Sequence, residues 1–116
     1  MEVIIRPLTE EYVDQVCVLE EEAFSMPWHK ESFMEMIANE NACYLVALVG
    51  EEVVASCGLR HIVGEGEITN VAVDQRKRCM GIGGMLLAAM KREAAQRNVI
   101  QIVLEVRVSN ESAIHL

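Results

Sequence analysis

A strand, a cationic turn and a glycine-rich helix start follow one another between residues 68 and 90, and this order constrains the fold more than any other stretch. Residues 68–73 (ITNVAV) are mostly apolar and β-branched, which is typical of a buried strand. The polar turn of residues 74–78 (DQRKR) comes next, and glycines at 81, 83 and 84 accompany the start of a helix at Ile82. A strand that passes through such a loop into a helix predicts an α/β fold.

The glycine-rich start of this helix predicts a binding site for an anion. The first turn of a helix presents N–H groups that have no intrahelical partner, and the helix dipole adds partial positive charge there. Glycines lack the Cβ atoms that would keep an anion away from the backbone, and Arg76, Lys77 and Arg78 supply positive charge. We therefore expect a ligand that carries a pyrophosphate.

Two familiar phosphate-binding motifs do not fit the spacing of these glycines. The dinucleotide fingerprint needs a third glycine three residues after the second, and Leu86 occupies that position. The P-loop needs the sequence Gly-Lys-Ser/Thr, which the chain lacks. A nucleotide-binding module is therefore disfavoured.

Length, composition and charge predict one soluble domain over residues 1–116. Of the 116 residues 52% are apolar, and no apolar run approaches the ~18 residues that a membrane span needs. Residues 1–7 lack the features of a secretory signal, so we expect a cytoplasmic protein that does not bind membranes. The formal net charge of −8 disfavours nucleic acid as a partner and favours a cationic substrate or peptide.

The four cysteines are predicted to be free thiols. They lie far apart in the sequence, without C-x-x-C pairs and without a histidine at ligand spacing. This pattern disfavours both a disulfide framework and a zinc site. We expect no metal.

Hydrophobic periodicity and turn residues predict the remaining elements. The predicted strands cover residues 2–6, 42–49, 52–61, 67–73 and 101–108, with a turn at 63–66, and the predicted helices cover residues 10–24, 29–39 and 82–98. Strand 101–108 is nearly all apolar, so we expect it to be buried on both faces and parallel to strand 67–73 across a right-handed crossover. Trp28 is predicted to anchor the core rather than to bind a ligand.

Side-chain periodicity also predicts which helix faces are buried. The expected inward residues are Tyr12, Val16, Leu19 and Ala23 in the first helix, Phe33, Met36 and Ile37 in the second, and Ile82, Leu86, Ala89 and Met90 in the third. In the third helix, Lys91, Arg92, Gln96 and Arg97 are expected to face solvent.

The motif R-x-x-G-x-G, read from Arg78, Gly81 and Gly83, resembles the acetyl-CoA motif of the GNAT superfamily of N-acetyltransferases. Three further strings extend the likeness over nearly the whole chain: AFSMPW (residues 23–28), ITNVAV (68–73) and LEVRVSNESAIHL (104–116). Together they are similar to the RimI-type ribosomal-protein alanine N-acetyltransferases. The resemblance implies a mixed central sheet flanked by helices, with acetyl-CoA as cosubstrate.

The resemblance also implies roles for individual residues. Val71, Ala72 and Val73 would pair with the pantetheine arm through their backbone, as if it were an added strand. The pyrophosphate loop and a further CoA contact would comprise Arg78, Cys79, Met80, Gly81, Ile82, Gly83, Gly84 and Asn110. For Asn110, an ordinary helix cap is an equally good interpretation. For Cys79 and Met80, we expect only the backbone to matter.

Glu105 is the expected general base. Its position matches the family's base, and its neighbours Ile102, Val103, Leu104 and Val106 are apolar. Burial there would raise the pKa of the carboxyl from ~4.3 toward neutrality, where it can accept a proton. The structural alternative is an ion pair with Arg107 on the same strand face, and Glu67 is the alternative base.

The expected function is transfer of acetyl from acetyl-CoA to the N-terminal amine of a protein, with a ribosomal protein as the substrate that the resemblance implies. Two alternatives stay open, a GNAT enzyme that acetylates a small amine and an acyl-CoA-binding module without catalysis. In the family a tyrosine that protonates the leaving thiolate follows the position of Leu116, and then come the rest of a helix and two strands. Without them we expect slower turnover, and self-association through the exposed edge of strand 101–108.

Overall fold

The computed structural model describes residues 2–77 and 80–103 and the backbone of residues 107–108. The strands in these ranges are β1 (Ile4–Pro7), β2 (Ala42–Val49), β3 (Glu52–Ile62), β4 (Glu65–Val73), β5 (Gln101–Val103) and β6 (Arg107–Val108). The helices are α1 (Glu10–Ala23), α2 (Lys30–Ala38) and α3 (Ile82–Gln96), and a single 3₁₀ turn (Gln75–Lys77) precedes α3. Within the same ranges, no helix combines the length and apolarity that crossing a bilayer requires.

All of these strands belong to one mixed sheet. β1, β2, β3 and β4 are antiparallel neighbours in that order, whereas β5 and β6 run parallel to β4. β5 pairs with residues 65–67 of β4, and β6 pairs with Asn70 and Val71. The prediction that the strand before α3 pairs in parallel with the strand after it is therefore confirmed. The mixed α/β architecture is confirmed as well.

The sheet separates two apolar cores. α3 covers one face with Ile82, Leu86, Met90 and Ala94, which pack on Leu45, Cys57, Leu59, Ile68 and Val71. α1 and α2 cover the other face with Val13, Val16, Leu19, Phe33 and Met36, which pack on Tyr44, Val46, Leu48 and Ala72. Each helix thus buries one stripe, as its sequence period predicts.

Several side chains differ from their predicted exposure. Val13 is fully buried although it was not among the expected inward residues of α1. Ile37 is 39% exposed, because it lies at the margin of the face that α2 buries through Phe33 and Met36. Arg97 is half-buried instead of facing solvent, because its guanidinium reaches back to β2.

The described part of the predicted strand 101–108 is not buried on both faces. Ile102 packs toward the core under α3, whereas Gln101 is exposed and Val103 is 41% exposed on the opposite face. Side chains alternate along a strand, so one face of β5 is covered and the other is open. β5 is an edge of the sheet among the described residues, and self-association through it stays a prediction.

Candidate functional site

The turn after β4 is held in place by Asp74. This residue is buried, and its Oδ1 accepts a hydrogen bond from the backbone N–H of Arg76 at 2.9 Å. The Arg76 guanidinium donates to Oδ1 at 3.1 Å and to Oδ2 at 2.7 Å, and this contact lowers the pKa of Asp74 from its ordinary value. The Asp74 carbonyl accepts from the N–H of Lys77 at 2.8 Å, which closes the 3₁₀ turn. The turn leads the chain from the end of β4 toward α3.

Arg76 does not supply charge to the glycine-rich loop as the sequence predicted. Its guanidinium is held by Asp74, and it also lies 3.4 Å from Oε1 of Glu52 on β3. The positive charge of Arg76 is therefore paired with two carboxylates of the chain itself. Lys77 is the next cation along the turn, and Arg78 lies outside the described residues.

Helix α3 begins after a glycine in the left-handed conformation. Gly81 is the N-cap residue with φ 77°, a value that disfavours other residues, and the space around a Cβ built there is open to 4 Å. The first backbone bond of the helix runs from the N–H of Met85 to the carbonyl of Gly81 at 3.0 Å. The N–H groups of Ile82, Gly83 and Gly84 precede this bond and have no intrahelical acceptor. Anions bind at helix starts of this kind, and the binding of an anion at this one stays a prediction.

Among the described residues, the last residues of β4 have a paired strand on one side only. Val71, Ala72 and Val73 have buried side chains, and on one side they pair with residues 55–57 of β3. On the other side the ladder with β6 ends at Val71 within the described residues. The family resemblance implies that an extended ligand pairs with the backbone groups of Ala72 and Val73 on that side, in the way that a peptide adds to a sheet edge.

Residues 74–81 form the junction between the end of β4 and the start of α3, and residues 78 and 79 lie outside the described part of the chain. Val71, Ala72, Val73, Met80, Gly81, Ile82, Gly83 and Gly84 lie at this junction or next to it, and the buried side chain of Ile82 leaves only its backbone for a ligand. Glu105, Asn110, Arg78 and Cys79 lie outside the described residues. Their roles stay predictions.

A buried polar cluster that sequence reasoning missed lies next to this junction. Glu20 of α1 is 1% exposed, and its Oε1 accepts a hydrogen bond from Nδ2 of Asn70 on β4 at 3.0 Å. The same Nδ2 donates to the hydroxyl of Tyr44 at 3.1 Å, and that hydroxyl lies 3.3 Å from Oγ of Ser56. Thr69 Oγ1 bonds Oδ1 of Asn70 at 2.8 Å. Burial raises the pKa of Tyr44, so its hydroxyl stays protonated and can donate a hydrogen bond.

The burial of Glu20 could have been inferred from its position in the helical repeat of α1. Glu20 follows Val13 and Val16 by seven and four residues, so all three share one face of α1. Glu21 and Glu22 are exposed, which makes Glu20 the acid that faces inward in this run of three. An acid in phase with buried apolar residues indicates a buried carboxylate with hydrogen-bond donors around it.

β4 carries a bulge inside this cluster. Gly58 of β3 pairs with Asn70, and its neighbour Leu59 pairs with Ile68, so Thr69 is an extra residue on β4. A Cβ on Gly58 would come within 2.8 Å of Cε2 of Tyr44, and it would also meet Oγ1 of Thr69. Glycine at position 58 therefore permits the close approach of the bulge and the Tyr44 ring. The bulge lies between the stretches of β4 that pair with β5 and β6.

Trp28 borders the same face of the sheet. Its ring packs against Phe33 at 5.5 Å and Tyr44 at 6.5 Å between centroids, so its predicted role as a core anchor is confirmed. The guanidinium of Arg60 lies 5.5 Å from its ring centroid on the open side, within the range of a cation–π interaction. The backbone N–H of Trp28 donates to Oε2 of Glu20 at 3.0 Å. Glu20 therefore bonds β4 through one carboxylate oxygen and the α1–α2 connection through the other.

An open groove of about 650 Å³ continues from Arg60 across β3, β4 and β5. Its walls include Arg60, Glu65, Glu67 and Val103. Glu67 is the cross-strand partner of Arg60, so both side chains project from the face that Trp28 borders. Glu67, the alternative base, therefore lies exposed in a groove beside Trp28 and the bulge.

The described cysteines are free thiols. Cys43 and Cys57 are buried, and burial raises the pKa of Cys43 to about 11 and that of Cys57 to about 12. Cys17 is half-buried, and burial raises its pKa as well. Among the described residues, no group of three or more His, Cys, Asp or Glu side chains is placed to hold a metal ion.

A family model and two relatives of the chain are named for the same kind of enzyme. The Acetyltransferase (GNAT) family matches residues 13–116 of the chain. The ribosomal protein bS18-alanine N-acetyltransferase of Salmonella typhimurium is 33% identical over 100 residues, which cover 84% of this chain and 66% of that protein. The N-alpha-acetyltransferase of Sulfurisphaera tokodaii is 32% identical over 117 residues, which cover 90% of this chain and 70% of that protein.

A solved structure has the same fold. The crystal structure of the ribosomal-protein-S18-alanine N-acetyltransferase from Escherichia coli superposes with a TM-score of 0.83 at 25% identity. The superposition covers 98% of this chain and 73% of that one. The chain thus spans about two thirds to three quarters of the proteins that it is compared with.

Proposed function

Since the chain belongs to the GNAT family of acetyltransferases, we propose that it transfers acetyl from acetyl-CoA to the N-terminal amine of a protein, with a ribosomal protein as the substrate. The observation that carries this proposal is the likeness, at 32–33% identity, to one bacterial and one archaeal protein that are named for this kind of transfer. The E. coli structure supports it, because its fold matches 98% of the chain. The expected cytoplasmic location belongs to the same proposal.

The junction of β4 and α3 fits acetyl-CoA, which supplies the acetyl group as a thioester. The N–H groups of Ile82, Gly83 and Gly84 point out of the first turn of α3 and would bind its diphosphate. The left-handed Gly81 leaves the approach to these groups open. The backbone of Ala72 and Val73 would pair with the extended arm, and a backbone N–H of residues 71–73 would polarise the thioester carbonyl.

Glu105 is the proposed general base. It takes the proton from the incoming ammonium, directly or through one water, so that the neutral amine can attack. Its apolar sequence neighbours and its place in the family pattern support this role. Glu67 is the alternative base, since it is exposed in the groove beside Trp28 on the open face of the sheet.

An N-terminal amine demands less of a base than a lysine does. With a pKa of ~7.8, an α-amino group is neutral in roughly a tenth of molecules at pH 7, whereas a lysine at ~10.4 is neutral in about one of a few thousand. The net charge of −8 also favours a cationic acceptor over an acidic one. Both arguments favour a basic protein N-terminus as the acceptor.

The direct test is mass spectrometry of candidate acceptors after incubation with acetyl-CoA and the protein. We expect acetylation of a peptide that begins with the N-terminal alanine of ribosomal protein bS18, and none of the same peptide with its N-terminus blocked. Acetylation of a polyamine in preference to the peptide would instead identify a small-amine enzyme. Binding of acetyl-CoA without transfer to any amine would identify a non-catalytic module.

A further inference from the structure

Glu20 connects two parts of the molecule that are 50 and 8 residues away in the sequence. Oε1 accepts from the side chain of Asn70, which is 0% exposed at the β4 bulge. Oε2 accepts from the backbone N–H of Trp28, in the connection between α1 and α2. One carboxylate thus fixes the distance between the bulge and this connection.

A carboxylate is a costly choice for a position that only fills space. The other buried positions on α1 are Val13, Val16 and Leu19, and an apolar residue at position 20 would fill the core without desolvating a charge. A carboxylate differs from these side chains in having two oxygens that accept from separate donors. A carboxylate at position 20 can therefore fix the relative positions of two hydrogen-bond donors, which an apolar side chain cannot do.

Both partners of Glu20 lie next to parts of the proposed site of transfer. Asn70 and Thr69 form the bulge, and the proposed pairing of β4 with acetyl-CoA begins two residues later at Ala72. Trp28 carries Arg60 over its ring at 5.5 Å, and Arg60 lines the groove that contains Glu67. Movement of the α1–α2 connection relative to the bulge would therefore misplace the acceptor against the thioester.

We propose that Glu20 is a positioning residue for acetyl transfer. It holds Trp28 in register with the Thr69–Asn70 bulge, and Trp28 borders the groove lined by Arg60 and Glu67, where the acceptor amine would bind. This inference rests on the proposed function. Glu20 acts through Asn70 and Trp28 and does not touch the reacting atoms. Its loss therefore affects the use of the amine more than the binding of acetyl-CoA, whose diphosphate site lies at the start of α3.

The first variant is Glu20→Gln, which keeps the shape of the side chain. A glutamine can accept from the N–H of Trp28 through its oxygen, but its NH₂ group then meets the NH₂ group of Asn70, so two donors face each other. We expect kcat/KM for the peptide to fall about tenfold, with acetyl-CoA affinity within about twofold of the wild type by calorimetry. The matched control is Glu21→Gln on the exposed face of α1, which should leave both unchanged.

The second variant reverses the hydrogen bond. Asn70→Asp alone places two carboxylates together and should lower kcat/KM at least as much. In Glu20→Gln with Asn70→Asp, the NH₂ group of position 20 donates to the carboxylate at position 70, which also accepts from the hydroxyls of Tyr44 and Thr69. We expect this double variant to recover kcat/KM to within about threefold of the wild type.

Four outcomes would overturn the inference: wild-type kcat/KM in Glu20→Gln, an equal loss in Glu21→Gln, equal losses of peptide turnover and acetyl-CoA affinity, or a double variant no better than Asn70→Asp. The last comparison also decides the matter if Glu20→Gln alone does not fold.

If the wild type acetylates no amine, the proposed function fails separately. Trp28, the only tryptophan, then reports on the link: its emission should shift to the red in Glu20→Gln and return in the double variant, and an unchanged emission refutes the link.

Discussion

The guanidinium of Arg97 donates a hydrogen bond to the main-chain carbonyl of Ala42 at 3.1 Å, and so ties the end of α3 to the first residue of β2. The same Nη1 lies 3.3 Å from the carbonyl of Glu40, and Nε donates to Oε1 of Glu93 at 3.1 Å. Ala42 is buried, so its carbonyl has little access to water. Arg97 therefore holds the C-terminal end of α3 against the first residue of β2.

Arg97→Ala is expected to lower the free energy of unfolding by about 1–2 kcal/mol, because it removes the donor for a buried carbonyl. The ion pair with Glu93 adds little to this loss, since both side chains are about a third exposed. Urea unfolding measures the effect. Arg92→Ala on the exposed face of the same helix is the control and should change stability by less than about 0.5 kcal/mol. Equal losses in the two variants would contradict the role given to Arg97.

The fold was largely predictable because local patterns and burial agree along most of the chain. β2 matches its predicted bounds, and β3 and α3 begin at their predicted residues, since apolar periodicity and turn glycines mark these positions. Arg97 shows where the reasoning fails. An arginine at the end of a helix is expected to face solvent, and the half-buried position of Arg97 depends on a β2 carbonyl 55 residues away.

Some features of the candidate site were likewise predictable from the sequence, and others were not. The glycines before and within the first turn of α3 predict an anion site, because the geometry of a helix start depends on the same residues that carry the sequence signal. The cluster around Glu20 depends on five segments that meet only after folding, so residue type alone does not predict it. The charge of Arg76 was assigned to the glycine-rich loop, and the buried Asp74 two residues earlier holds it instead.

Glu105→Gln tests the proposed base. We expect kcat/KM for the peptide to fall by about 10²-fold or more, because a positioned base contributes that much, while acetyl-CoA affinity stays nearly unchanged. The variant should also lose the low-pH limb of the pH–rate profile that titration of a base produces. Steady-state kinetics and calorimetry measure both quantities.

Glu67→Gln is the comparison that separates the two carboxylates. It should leave most of the turnover intact if Glu105 is the base, since Glu67 then only lines the groove. A large loss in Glu67→Gln together with normal turnover in Glu105→Gln would assign the base to Glu67 instead. Normal turnover in both would remove the general-base mechanism.

Gly81→Ala tests the anion site at the start of α3. The left-handed φ of 77° disfavours alanine by about 1–2 kcal/mol, although a Cβ would meet no atom within 4 Å. Relief of that strain would turn the first-turn N–H groups away from the diphosphate, so we expect acetyl-CoA affinity to fall about tenfold or more. Gly50→Ala is a matched control, because Gly50 has φ 62° and equally open surroundings in the β2–β3 turn. It should lower stability similarly and leave acetyl-CoA affinity unchanged.

Asp74 is expected to make the free energy of unfolding depend on pH in the acidic range. Because Arg76 lowers the folded-state pKa of Asp74 from its ordinary value of 3.8, the ionised carboxylate stabilises the folded state at pH values above 3.8. This contribution is lost as the pH falls through the lower, folded-state value, where the carboxyl becomes protonated. Asp74→Asn removes the charge at every pH, so the wild type should be more stable than the variant at pH 7, and the difference should shrink as the solution is acidified below pH 3.8.

Urea unfolding of the two proteins across this pH range measures that difference directly. Asp14→Asn is the control, because Asp14 is 87% exposed and its ion pair with Lys30 is screened by solvent, so its effect should be small at every pH. A difference between the wild type and Asp74→Asn that does not change with pH would mean that the carboxylate at position 74 contributes through its shape and not through its charge. The turn that leads from β4 to α3 would then be held by the hydrogen bonds that the N–H groups of Arg76 and Lys77 donate to the side-chain and main-chain oxygens of residue 74.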